Sequence, residues 1–356
     1  MRKNASIVMN HLPVSTWNHL GVNNAEATLL PKIDRSCNIQ WEFGDESEII
    51  LSKNVNLLLK LRTGMGEDMD RMLRESPVLT DMISVEKNHI AKEPVRIQLL
   101  YQENSSYGNH FTIHAAPNSE ITVIMDYSSK EEIKALALTQ VHMLAEQNSK
   151  IRLIQVQRLG QKMIQFNDLG GLCEDNALIE IIQADFGAGK MYSGCFTELL
   201  GRNSKVSVDI GYQEKQSQSY DMNYVVNHYG KKSESSIKVN GILEDHAFKL
   251  FRGTIDFKKG AKGANGEEAE EVLLIGNDMI NKTVPLILCE EEEVQGNHGA
   301  TIGKLSEEVM FYLQSRGLKT EEVYTMIANA KIDLLCQKIQ DERTAKLLAK
   351  YKKGGN

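Results

Sequence analysis

The chain has 356 residues, and its 41 Lys and Arg against 48 Asp and Glu leave a net charge of −7. That balance excludes a global basic surface for nucleic acid or anionic lipid. At 41% hydrophobic and 25% charged it is composed like a folded protein, and no run approaches the ~18 apolar residues of a membrane span.

Only 6% of the residues are aromatic, so the core must be built from aliphatics and Met. At ~150 residues per domain the length suggests two or three structural units. The start, Met-Arg-Lys-Asn, is followed by no apolar core or small-residue cleavage site, so no ordinary secretory signal is expected. Cys37, Cys173, Cys195, Cys289 and Cys336 are odd in number and never closely paired. This is neither a disulfide framework nor a CxxC metal site, and a reducing, cytoplasmic compartment is expected.

Residues 1–95 read as a mixed, partly helical region. LPVSTWNHLGVN (12–23) reads as a polar arm with Trp17 and Leu20 as buried anchors. Residues 54–74 have helical apolar spacing, interrupted around Gly64 and Gly66.

From about 96 to 288 the texture is that of strands. VRIQLLYQ, HFTIHAA, SEITVIMDY, KIRLIQVQRL, ALIEIIQADF, KVSVDIGYQ, SIKVNGIL and EVLLIG alternate or run apolar. Small polar corners separate them, including NSK at 148 and again at 203. The absence of alternating helices excludes a doubly wound α/β sheet and leaves a sandwich, a barrel or a β-solenoid. KKGAKGANGEEAEE (258–271) reads as a polar insertion, most simply a mobile hairpin loop.

From 305 to 356 the period is helical. Ser306 is a natural N-cap for a helix carrying Val309, Met310 and Leu313, with Gly317 just past its end. Thr320 is expected to cap a second helix with Val323, Met326, Ile327, Ala330, Leu334, Leu335 and Ile339 on one stripe. The tail YKKGGN reads as frayed. Such amphipathic helices need a surface to cover, part of which another protein can supply.

The catalytic motifs fail on their chemistry. Around Gly187-Ala188-Gly189-Lys190, Ala184 and Met191 stand where a P-loop needs Gly and Ser or Thr, so the segment reads as a corner. His110 and His114 lack the Glu of a zinc-protease helix and sit in a strand pattern. Glu290–Glu293 would point alternately to two faces of an extended segment, a solvated edge. There is no GxSxG, and a Cys–His dyad would be spatial rather than sequential. No motif supports enzyme activity. His298 is different, because Asn297, Gly299 and Ala300 leave its imidazole open to approach. Neutral imidazole suits iron or zinc, but a lone ligand cannot hold a metal. Further ligands would have to come from a partner chain or from distant Cys or Glu residues.

VPLILCEEEEVQGNHGATIGKLSEEVMFYLQSRGL (284–318) closely resembles the C-terminal signature of the SufB/SufD family, scaffolds of the Suf iron–sulfur cluster assembly system. The glycine-rich turn, histidine, helix cap and SRG occur in order. The resemblance runs more loosely back to about residue 100, and 12–23 is similar to the family's N-terminal element.

The resemblance implies a right-handed parallel β-helix core (96–304) between helical N-terminal (1–95) and C-terminal (305–356) parts. It implies a non-catalytic scaffold that pairs with a SufB-like chain through the β-helices, with no nucleic-acid or membrane partner. The C-terminal helices are expected to dock a SufC-type ABC ATPase, and a cysteine desulfurase system to donate sulfur. In SufB-like chains the turn resembles EHEAT and a cysteine precedes the strand before it. Here Gly299 follows His298 and the residues directly ahead of Val272, Glu267 to Glu271, include no Cys, so the SufD-like branch is implied. His298 then falls on the histidine that SufD-like chains are thought to contribute to a transient iron–sulfur cluster at the interface, none being bound by this chain alone. Cys289, Cys173 and Cys195 are expected to be buried packing thiols. A sole homodimeric scaffold of a minimal system is the alternative. A carbohydrate-active β-helix enzyme, needing a carboxylate pair in an aromatic groove, is the distant one.

Overall fold

The computed structural model describes residues 5–44, 49–53, 61–78 and 80–350. Its N-terminal elements are β1 (Ala5–Met9), β2 (Ala25–Leu30), β3 (Asn38–Glu42), β4 (Ile49–Lys53), α1 (Glu67–Arg74) and β5 (Thr80–Val85). Strands then follow in coils of two. β6 (Val95–Tyr101) and β7 (Ser106–Ala115) are succeeded by β8 (Glu120–Ser129) and β9 (Leu136–Ala145). The middle coils are β10 (Lys150–Arg158) with β11 (Ile164–Cys173), β12 (Leu178–Asp185) with β13 (Lys190–Leu199), and β14 (Lys205–Glu214) with β15 (Ser219–His228). The last are β16 (Glu234–Glu244) with β17 (Phe248–Phe257), β18 (Asn265–Ile275) with β19 (Ile280–Cys289), and finally β20 (Gln295–Gly303). Helices α2 (Glu307–Ser315), α3 (Thr320–Ile339) and α4 (Glu342–Ala349) complete the chain.

Two nine-stranded sheets result, β20-β18-β16-β14-β12-β10-β8-β6-β3 and β19-β17-β15-β13-β11-β9-β7-β5-β4. From β5 and β6 onward all their pairings are parallel, which makes a β-solenoid of about eight turns. This resolves the three-way choice that strand texture left open. At the first coil the antiparallel pairings of β3 with β6 and of β4 with β5 close the sheets. At the other end β19 and β20 have no further neighbour among the described residues.

Side chains in register stack through the interior. One inward row runs Val95, Val123, Leu153, Ile181, Val208 and Ile237, all nearly inaccessible. Such unbroken aliphatic stacks are where burial most favours folding. The corners have their own ladder. Asn88, Asn118, Asn148, Asn176 and Asn203 all hold left-handed backbone, which Asn tolerates. From Asn118 onward each side-chain amide donates to the Oδ1 of the preceding coil's Asn at 2.9 Å. The repeated NSK corner is part of this device: Ser149 and Ser204 are buried and turn their hydroxyls onto the carbonyls of Glu146 and Gly201.

The outer faces are covered unequally. On the odd-numbered sheet, Ile7, Met9, Met65, Met69 and Leu73 pack against Leu138 and Phe166. Gly64 lies so close to β13 that a Cβ would meet the Cys195 backbone nitrogen at 1.9 Å, which accounts for the break in helical spacing there. Residues 54–60 of the expected 54–74 helix lie outside the described residues, and the described helix is α1. On the even-numbered sheet, Leu335, Ile339 and Leu348 pack on Ile124, Ile154 and Ile182.

Several expectations need correction. Residues 258–271 are not a hairpin loop but a corner running into β18, because Glu268 and Glu270 point into the solenoid and are buried there. Glu290–Glu293 follow β19 and form the next corner rather than an extended run, with Glu290 and Glu293 paired to Lys258 and Lys262. Trp17 and Leu20 are exposed, and Leu12 and Val22 are the arm's buried anchors instead. Thr320 is the first helical residue and Lys319 the N-cap; the Glu322 carboxylate accepts from the Lys319 N–H. The buried face of α3 is Val323, Ala328, Ile332, Leu335 and Ile339, which leaves Met326 and Leu334 exposed. The Ser306 cap and Gly317 in left-handed backbone are as the sequence indicates, and the tail 351–356 lies outside the described residues.

Candidate functional site: the open end of the solenoid

The aliphatic row does not end in an aliphatic. Ile237 is in register with Glu268, and Glu268 with His298 on β20. A period of two then places Gly296, His298 and Ala300 on the lumen-facing row. A Cβ on Gly296 would indeed meet Ile287 and Phe257 of the interior at 3.0 and 3.1 Å. His298 is exposed, and no further coil covers it among the described residues. Its imidazole therefore tops a packed stack at the mouth of the fold, on a strand whose outer edge is unpaired among the described residues.

Beneath the mouth the interior is charged. Lys249 and Glu270 form a fully buried ion pair, and Thr283 Oγ donates to Glu270 at 2.5 Å while accepting from Lys249 at 3.1 Å. Burial pulls the Lys249 ammonium down, opposed by Glu270. Burial, with Glu270 as a neighbouring charge, pushes the Glu268 carboxyl up to about 8. Deeper in, burial raises Asp185 to about 7 and Glu214 well above the carboxylate range; Tyr220 donates to Asp185 at 2.8 Å. Motif spacing gives no sign of these groups, because their sequence context is that of solvated strands.

The remaining candidates fall elsewhere. His110 and His114 lie on β7 far along the chain from His298; His110 is buried between Thr80 (2.8 Å) and His142 (2.9 Å), and His114 meets Glu146 at 2.9 Å. Burial pushes His110 down to about 3, so it is a neutral structural imidazole. Residues 187–189 lie in the corner between β12 and β13 and Lys190 opens β13, as the failed P-loop pattern indicates. Cys173 and Cys195 are buried, and burial raises both thiols, Cys195 to about 12. Cys289 is exposed rather than buried, because among the described residues no coil follows to cover it; its Sγ donates to Glu291 O at 2.9 Å. Among the described residues no three His, Cys, Asp or Glu side chains converge as a metal site.

The family model "SUF system FeS cluster assembly, SufBD core domain" matches residues 99–331, most of the chain. The chain is a member of the SufB/SufD family. It is 24% identical over 246 residues to the iron–sulfur cluster assembly protein SufD of Bacillus subtilis (strain 168), covering 68% of this chain and 56% of that protein. It is 24% identical over 221 residues to an iron–sulfur cluster assembly SufBD family protein of Staphylococcus saprophyticus, covering 61% and 47%. The chain thus spans about half the length of the curated relatives it matches. The SufD-like placement agrees with Gly299 after His298. No helix among the described residues is long and apolar enough to cross a membrane.

Proposed function

We propose that this SufB/SufD-family chain is a non-catalytic scaffold subunit of Suf iron–sulfur assembly, in which the open end of the solenoid receives a SufB-like chain. The observation that carries the reading is His298 standing as the last rung of an inward stack on an unpaired edge strand. β19 and β20 present 10 and 9 residues of edge backbone, long enough to template strand addition and a liability if left bare. Ile280, Ile287 and Ile302 are exposed beside that edge. A partner's coil would complete both sheets and enclose His298.

The cluster is cargo on this reading. His298 offers one neutral nitrogen donor, and the partner supplies thiolate, giving a site weak enough to release what is assembled there. Sulfur comes from a cysteine desulfurase system. ATP hydrolysis belongs to a SufC-type ABC ATPase docked on the C-terminal helices. That assignment is supported by α2, whose Phe311 and Tyr312 are 73% and 55% exposed while α3 and α4 hold it to the solenoid.

The test is anaerobic affinity capture of the tagged chain, with the retained proteins identified by mass spectrometry. Recovery of a SufB-like chain and an ABC-type ATPase is expected. Recovery of the ATPase with only a second copy of this chain would replace the heterodimer by a homodimeric scaffold, and recovery of neither would overturn the reading.

A further inference from the structure

The arm 12–23 lies across the outer face of the odd-numbered sheet at its open edge. Leu12 and Val22 pack on Leu250 of β17 and Val284 of β19. Arg252 donates to Val22 O at 2.5 Å and to Asn24 O at 2.9 Å, and Lys282 of β19 donates to Leu20 O at 2.9 Å. Between these ties the chain turns tightly. Thr16 N donates to Asn23 Oδ1 at 2.7 Å, Leu20 N to Trp17 O at 2.9 Å and Gly21 N to Asn18 O at 3.2 Å.

The turn fixes Trp17 at φ 34, ψ 60, a left-handed conformation that a bulky residue rarely adopts. Such strain persists only where the surroundings over-determine it, and it clusters at functional positions. Its effect here is to hold the indole outward, 61% exposed, beside Leu20 at 45% and Val14 at 49%. Because the backbone of this turn is already ordered, docking Trp17 costs only the rotamer freedom of its two χ angles, which suits an interface anchor.

We propose that Trp17 is an anchor residue that docks on the outer face of the solenoid adding its strand to β19. The occupant follows from position: the arm is tied to β19 itself, the terminal strand of its sheet. A strand paired to β19 would continue that outer face about 4.8 Å away, within reach of the Trp17–Leu20 pair. The inference rests on the open-end reading above and adds to it a second contact, outside the lumen and remote from His298.

The test uses this chain labelled with 5-fluorotryptophan and mixed with the unlabelled SufB-like chain of the same organism. Its two tryptophans, Trp17 and Trp41, give two fluorine resonances assigned with Trp17→Phe and Trp41→Phe. Trp41 stacks on Phe43 in the first coils and serves as the internal reference. On complex formation the Trp17 resonance should shift and lose its solvent isotope effect, while that of Trp41 stays. Trp17→Ala should weaken association on the order of 10- to 100-fold with an unchanged unfolding midpoint. A Trp17 that stays solvent-exposed in the complex, with unchanged affinity of Trp17→Ala, overturns the inference. Ile302→Asp on β20 separates the two failures. If it disrupts the complex while Trp17→Ala does not, only the anchor is lost; if neither matters, the open-end reading falls too.

Discussion

Glu268 and His298 are consecutive rungs of one stack: the last buried side chain of the row is a carboxyl, and the first exposed one is an imidazole. The six rungs below them are aliphatic. The stack therefore changes from a packing device to a chemical one over two coils, at the end of the fold where no strand follows.

His298→Ala removes only exposed atoms, so its effect on unfolding should stay within about 0.5 kcal/mol. Cluster acquired by the assembled complex under anaerobic reconstitution should fall severalfold. Unchanged iron and sulfide content in the variant complex would remove His298 from the site.

The same change along the stack separates what is legible in the amino-acid sequence from what is not. The strands of the even-numbered sheet are legible because one face is aliphatic and the other half-open, so their sequences alternate, as Val95, Ile97, Leu99 and Tyr101 do. Most strands of the odd-numbered sheet are not, because their outer face is buried as well and under polar contacts. Gln140 donates to Asp70 and Asp168, and Asn223 donates to Gly64 O, so polar residues there look solvated while being inaccessible. Glu268 and Glu270 escape for a different reason: they occupy inward positions of β18 as charged residues, and the buried cation near them, Lys249, comes from another strand. The 284–318 motif locates His298, but only the register places it in the lumen row.

Asp185 sets a pH dependence. Burial raises its carboxyl from 3.8 to about 7, so between those values the folded chain keeps a proton that the unfolded chain releases. Stability from this group is therefore present below about pH 4 and declines as pH rises toward 7. Asp185→Asn keeps an acceptor for Tyr220 and removes the ionisation. It should raise the denaturation midpoint at pH 7.5 by an amount equivalent to about 1–3 kcal/mol, and flatten the pH 4–7 slope. His110 and His228, pushed down to about 3 and about 4, act oppositely and destabilise the fold on acidification below about 6.5. A variant curve parallel to that of the parent would show that Asp185 is ionised in the fold.

Arg252 ties the N-terminal arm to the solenoid. Its guanidinium is fully buried, paired with Asp221 at 2.7 Å and hydrogen-bonded to two arm carbonyls. Arg252→Met should cost about 3–5 kcal/mol, because Asp221 is left buried without its counter-charge. Arg252→Met combined with Asp221→Asn should recover part of that loss. If the double variant is as unstable as the single one, the arm carbonyls rather than the charge pair dominate.

Residues 306–356 cannot be removed cleanly. Ile154 and Ile182 on the even-numbered sheet are covered by Leu335, Ile339 and Leu348, so truncation bares an apolar face and should promote aggregation. The informative variant is Phe311→Ala with Tyr312→Ala. It should leave the unfolding midpoint unchanged and weaken ATPase binding at least 10-fold by titration calorimetry. Equal affinity would place the dock elsewhere.

The asparagine ladder can be separated into backbone and side-chain parts at Asn148. This residue holds φ 57 while donating to Asn118 and accepting from Asn176. Asn148→Gly keeps the backbone conformation and removes both ladder bonds, whose loss should cost about 1–2 kcal/mol. Asn148→Ala removes the same bonds and adds left-handed strain of roughly 1 kcal/mol. Chemical denaturation of both variants should therefore rank the parent above Gly and Gly above Ala. Gly equal to the parent would mean that Asn is present for its backbone conformation alone, with water replacing the ladder. Ala equal to Gly would mean that the corner relaxes out of left-handed backbone when its side chain is gone.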